Sequence, residues 1–186
     1  MQTIYYMPGR GGRLDKGLGP ALAARGLDVF GREITAQSGQ TNDNPFAGLS
    51  FEQQVHVVAH DLDTLVSQDN PCVIGNSFGA YLIVHALLHT KTFVGRCLLL
   101  SPVLGPCRLS GMYFRPPKAG QLQRAIERGA FQNIAIDVVA GELDAQSPRA
   151  LCEQLISNAQ GRLQIIEGEG HRINPVVITG VLDTWL

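Results

Sequence analysis

The sequence predicts an α/β fold: a three-layer α/β/α sandwich around a mostly parallel sheet of about six strands. Three observations carry this prediction. Short β-rich runs alternate with helical patterns along the whole chain, which is how a parallel sheet covered on both faces is written in sequence. Several of the runs, such as Cys97–Leu100, are apolar without alternation, as expected of strands buried on two sides. Glycine and proline, at 21 and 10 residues, supply the many short connections such a fold needs.

In order, the first strand is read at Thr3–Met7, followed by the turn Pro8-Gly9-Arg10-Gly11-Gly12. A helix from Leu14 to Arg25 ends at Gly26, a residue suited to a left-handed C-cap. A strand spans Asp28–Ile34, and the polar stretch 35–48 reads as a surface loop. Ser50 and Gln53 form a capping-box pattern for a helix reaching Ser67, with Val55, Val58, Leu62 and Leu65 at helical spacing. Pro71–Gly75 is a buried strand, Phe78–His89 a helix, and Cys97–Leu100 the strand expected at the centre. Residues 102–118, with Pro102, Pro106, Pro116 and Pro117, read as a loop or minimal cap whose Met112, Tyr113 and Phe114 would line a substrate mouth. A helix at Ala119–Arg128 precedes the strand Ile134–Ala140. Ser147 is expected to cap a helix through Ile156, with Pro148 at its first position. The strand Leu163–Ile166 and the helix Pro175–Trp185 complete one domain over 1–186.

Bulk properties remove several classes of function. The 186 residues, 45% hydrophobic and 17% charged, suit a folded domain with a large interior. A net charge of −1 gives no basic footprint for nucleic acid or an anionic membrane. No apolar run approaches the ~20 residues of a membrane span, and the start of the chain lacks a signal-peptide pattern. Cys72, Cys97, Cys107 and Cys152 form no C-x-x-C pair and read as reduced thiols, which points to the cytoplasm.

The chemistry is concentrated in Gly75-Asn76-Ser77-Phe78-Gly79, set between an apolar strand and an apolar helix. In that context G-x-S-x-G is a nucleophile elbow, a sharp turn that presents Ser77 at the edge where such sheets bind ligands. A serine hydroxyl needs a base. Of five histidines, His56, His60, His85 and His89 fall in predicted helices, whereas His171 follows a strand in Gly168-Glu169-Gly170-His171. The base needs an acid to orient it. Asp144, in Gly141-Glu142-Leu143-Asp144, leaves the sheet at the same edge, while Glu142 sits earlier in the turn and Asp137 lies within the strand.

With these motifs in hand, the chain resembles a compact, lidless member of the α/β-hydrolase superfamily over nearly its whole length. The resemblance implies a strand order 2-1-3-4-5-6, without the first two strands of larger members. It implies a catalytic Ser77, Asp144 and His171, and an oxyanion hole from the backbone N–H groups of Arg10 and Phe78, with Pro8 where the family carries histidine. Gly9 would border the substrate. The expected reaction is hydrolysis of a small carboxylic ester or thioester through an acyl-enzyme, with no cofactor and no metal. The expected partner is a small acyl compound, not nucleic acid or a membrane, and the chain a monomer or homodimer. Hydrolysis of an amide, lactone or carbon–carbon bond, or a non-catalytic binding domain of the same fold, are the alternatives.

Other readings fit less well. Gly9-x-Gly11-x-x-Leu14 lacks the third glycine of a dinucleotide fingerprint, and Gly12-x-x-x-x-Gly17 is followed by Leu18 and not lysine. The pairs His56/His60 and His85/His89 lack the H-E-x-x-H glutamate and read as polar-face histidines. Arg10 and Arg13 could select a carboxylate-bearing substrate, but read more simply as solvated surface arginines.

Overall fold

The computed structural model describes residues 2–34, 46–65, 70–109 and 111–186. Its strands β1 (Thr3–Met7), β2 (Asp28–Gly31), β3 (Cys72–Asn76), β4 (Arg96–Leu100), β7 (Ala135–Gly141) and β8 (Leu163–Ile166) form one parallel sheet in the order β2-β1-β3-β4-β7-β8. Two further strands, β5 (Cys107–Leu109) and β6 (Met112–Phe114), pair with each other in an antiparallel hairpin apart from that sheet. With that hairpin set aside, the order is the expected one, and β4 lies in the interior of the sheet between β3 and β7.

Alternation along each strand divides the core in two. Tyr5, Met7, Val73, Cys97, Leu99, Ile136 and Val138 face one side, where α2 (Phe51–Thr64), α3 (Phe78–Leu87), α4 (Ala119–Glu127) and α5 (Arg149–Ser157) pack. Ile4, Tyr6, Ile74, Leu98, Leu100 and Val139 face the other, covered by Leu22 of α1 (Leu18–Ala23) and by Val181, Leu182 and Trp185 of α6 (Pro175–Trp185). A period of two with both faces apolar is the pattern of a sheet buried between helical layers.

Several elements depart from the sequence expectation for local reasons. The first helix begins at Leu18 and not Leu14, because Gly17 adopts φ 62° and interrupts any helix through it, while the Leu14 N–H is taken by Glu33 Oε1 at 2.9 Å. Strand β2 stops at Gly31, whose partner Tyr6 is one residue short of the end of β1. Arg32 then turns to a bidentate pair with Asp61 at 2.8 Å. Segment 102–118 contains the β5–β6 hairpin. Ser50 and Gln53 make the full capping box on α2, whereas Ser147 does not cap α5, whose N-cap is Pro148. The last residues expected in α2, 66–67, and most of the expected loop, 35–45, lie outside the described residues.

The histidines also differ. His85 is buried, 4% exposed, with its ring against Phe51 and Tyr81. Every residue of α3 is buried, so this helix has no polar face for His85 to occupy. All four cysteines are free and buried, and among the described residues no helix is long and apolar enough to cross a membrane.

Candidate active site

Ser77 joins β3 to α3 with φ 54° and ψ −118°, a conformation that costs a non-glycine residue roughly 1–3 kcal/mol. Its surroundings fix it there. The Ser77 N–H donates to the Leu100 carbonyl at 2.9 Å, and the Ser77 carbonyl accepts from Tyr81 N at 3.2 Å. The flanking glycines allow the tight approach. A Cβ on Gly79 would collide with the carbonyl oxygens of Met7 and Pro8, and one on Gly75 would meet the backbone of Ala80 at 2.6 Å.

The loops after β7 and β8 bring the other two groups. His171 Nε2 lies 2.8 Å from Ser77 Oγ, and its Nδ1 lies 2.8 Å from Asp144 Oδ2. A carboxylate accepts, so Nδ1 carries the proton and Nε2 is left to accept from the serine hydroxyl. The Asp144 side chain is fully buried, and that of His171 is 24% exposed. Burial pushes the Asp144 carboxyl up, but bonds from His171 and Ser147 and the His171 charge outweigh it and hold the group below its ordinary range. It therefore stays ionised at neutral pH.

The two loops are pinned to each other. Glu142 N donates to Ile166 O and Leu143 N to Glu169 O, both at 2.9 Å. Glu142 Oε2 accepts from Gly168 N at 3.1 Å, so this carboxylate braces a turn and does not meet the imidazole. Asp137 is committed to Trp185 Nε1 at 2.8 Å and Arg162 N at 2.9 Å. The acid brought to His171 is Asp144.

On the other side of Ser77 lies the glycine-rich loop after β1. A Cβ on Gly9 would come within 3.0 Å of the Ser77 Cβ, so the loop passes directly against the serine. Arg10 stacks its guanidinium 4.3 Å from the centroid of Phe78, the residue after Ser77. The backbone N–H groups of Arg10 and Phe78 have no hydrogen-bond partner among the described residues. Both donors belong to residues next to groups that touch the serine, Phe78 following it in sequence and Arg10 following Gly9.

Ser77 and His171 open into a cleft of about 730 Å³ that Gly9 and Arg10 also line. Met112, Tyr113 and Phe114 do not line it. They form strand β6, with Met112 and Tyr113 exposed and Phe114 packed against the core. Sequence reasoning also passed over three residues. Ser147 is buried on Asp144, Ser101 lies buried in the cleft wall with φ 44°, and Arg172 lines the cleft beside His171. Only Ser147 had a visible signal, three residues after Asp144, and there it competed with a helix-cap pattern.

No protein-family model and no curated protein matches the chain. Solved structures do. The chain is similar to a monoacylglycerol lipase from Paleococcus ferrophilus, with TM-score 0.72 and 13% identity over 98% of this chain and 93% of that one. It is similar to a lipase-esterase related protein from Clostridium acetobutylicum, with TM-score 0.70 and 12% identity over 100% and 94%. It is also similar to Est1E from Butyrivibrio proteoclasticus, in a structure with ferulic acid bound, with TM-score 0.68 and 12% identity over 100% and 88%. Strand order, the serine turn and these neighbours agree: the chain has the α/β-hydrolase fold.

Proposed function

We propose that the protein is a serine hydrolase that cleaves small carboxylic esters or thioesters through an acyl-enzyme on Ser77. The observation that carries this reading is the unbroken hydrogen-bonded line from Ser77 Oγ through His171 to Asp144, with both contacts at 2.8 Å. Ser77 Oγ bonds to the acyl carbon while its proton passes to His171 Nε2, and Asp144 stabilises the imidazolium. The oxyanion is held by the N–H groups of Arg10 and Phe78, where one lost donor would cost a factor of about 10²–10³ in kcat. His171 returns the proton to the departing alkoxide or thiolate. A water molecule, deprotonated by the same imidazole, then attacks the acyl carbon, releases the carboxylic acid and restores Ser77. Every proton in the cycle is handled by one side chain.

Kinship of fold with a lipase and an esterase-related protein supports the ester as the bond cleaved, as does the ferulic acid seen with Est1E. The test is labelling with a fluorophosphonate followed by peptide mapping, together with p-nitrophenyl ester turnover. Modification is expected at Ser77 alone, and Ser77→Ala is expected to lose both labelling and turnover. Full turnover in folded Ser77→Ala would refute the reading.

A further inference from the structure

The hydrolase reading leaves open what the substrate carries beside the cleaved bond, and the cleft narrows the choice. Its floor is apolar, built from Leu18 and Ala21 of α1 and Ile173, Ile178 and Leu182 at and before α6. Its rim is cationic. Arg10, Arg13 and Lys16 come from the loop between β1 and α1, and Arg172 comes from the loop between β8 and α6. Among the described residues, no Asp or Glu lines the cleft.

This charge is local. The chain has 15 Lys and Arg against 16 Asp and Glu, so a surface chosen at random would be near neutral. Three acids close by in sequence, Glu33, Glu169 and Asp15, are engaged by other groups. Glu33 accepts from Leu14 N at 2.9 Å, and Glu169 accepts from Asn174 N at 3.0 Å. Asp15 forms a bidentate pair with Arg13 at 2.6 and 2.7 Å, which compensates that arginine. Arg10, Lys16 and Arg172 have no ion-pair partner among the described residues. Arg10 is also held in place, because its stacking on Phe78 occupies the guanidinium face and leaves the in-plane N–H fork for an anion.

We propose that, on the hydrolase reading of Ser77, the substrate is an ester or thioester that also carries a carboxylate or phosphate. That group sits at the rim against Arg10, Lys16 and Arg172, while the apolar part of the molecule lies on the floor between α1 and α6. An anion on the acyl side and one on the leaving group use the same chemistry and are separated by the choice of substrate.

The experiment compares kcat/KM for two matched pairs: p-nitrophenyl butyrate against mono-p-nitrophenyl glutarate, and butyryl-N-acetylcysteamine against butyryl coenzyme A. The charged member of at least one pair is expected to be preferred by about tenfold at low salt, with the preference shrinking in concentrated NaCl. In Lys16→Gln/Arg172→Gln that ratio is expected to fall towards one. Which pair responds assigns the anion to the acyl or the leaving group. Turnover of the neutral compounds with no charged preference overturns the anion proposal and leaves the hydrolase reading standing, and so does a preference unchanged in the double variant. Absence of turnover for all four compounds overturns the hydrolase reading and this one with it.

Discussion

Ser147 Oγ donates to Asp144 Oδ2 at 2.7 Å, with the Pro102 carbonyl as a second acceptor at 2.8 Å. The same carboxylate oxygen faces His171, and Gln146 N donates to Oδ1 at 2.9 Å. Ser147 therefore acts as a positioning residue, holding the carboxylate in the plane that meets the imidazole. Ser147→Ala is expected to lower kcat roughly tenfold with little change in KM, and to cost about 1–3 kcal/mol of stability from the lost buried donor. Ser147→Thr, which keeps the hydroxyl, is expected to restore kcat. Steady-state kinetics with urea unfolding checks both, and equal loss of kcat in the two variants would deny the hydroxyl this role.

Three carboxylates lie along β7 and the turn after it, and their commitments separate them. Asp144→Asn is expected to reduce kcat by about four orders of magnitude, because the amide favours the wrong imidazole tautomer. Glu142→Gln and Asp137→Asn each replace a charged acceptor, of Gly168 N and of Trp185 Nε1, with a weaker amide oxygen, so both are expected to lower stability modestly while largely sparing turnover. A single ester assay on the three variants ranks them.

The backbone of Ser77 carries strain that its hydroxyl does not cause. Ser77→Gly and Ser77→Ala both remove the nucleophile, but only glycine adopts φ 54°, ψ −118° freely. Ser77→Gly is expected to be the more stable of the two by roughly 1 kcal/mol. Thermal unfolding of the pair measures the difference without any contribution from catalysis.

His85 makes stability depend on pH. Burial, with a smaller contribution from the His89 charge, pushes its imidazole from 6.5 down to about 4, and its Nε2 has no hydrogen-bond partner among the described residues. Between these values the unfolded chain binds the proton that the folded chain refuses. Stability is thus complete above pH 6.5 and falls by roughly 1.4 kcal/mol per pH unit as the pH drops towards 4. His85→Leu is expected to flatten this slope, read from urea unfolding across the same range; parallel slopes would assign the acid limb to other groups.

Much of this architecture is legible in residue order, and the exceptions have physical causes. The core strands and the serine turn are written locally, in apolar runs and in glycines that no other residue could replace. Asp144 and His171 are legible because loops leaving one end of a parallel sheet share an edge. His85 is misread because periodicity reports a polar face only where a helix has one, and α3 has none. The first helix is overextended at its start because apolar spacing reaches back past Gly17, whose positive φ keeps the helix from beginning before Leu18. Met112, Tyr113 and Phe114 look like a substrate mouth by composition alone, whereas pairing of β6 with β5 carries them away from the cleft. The grouping of Arg10, Lys16 and Arg172 spans more than 150 positions and is visible only once the chain has folded.

The serine turn is complete by residue 79, but the groups that would awaken it arrive with β7 and β8, the last strands to be added at the sheet's far side. A chain emerging from the ribosome, or one with that edge frayed, carries only an ordinary alcohol at position 77. Half-made copies are therefore chemically silent, and reactivity towards a serine-directed probe doubles as a report that the distal edge of the sheet has docked.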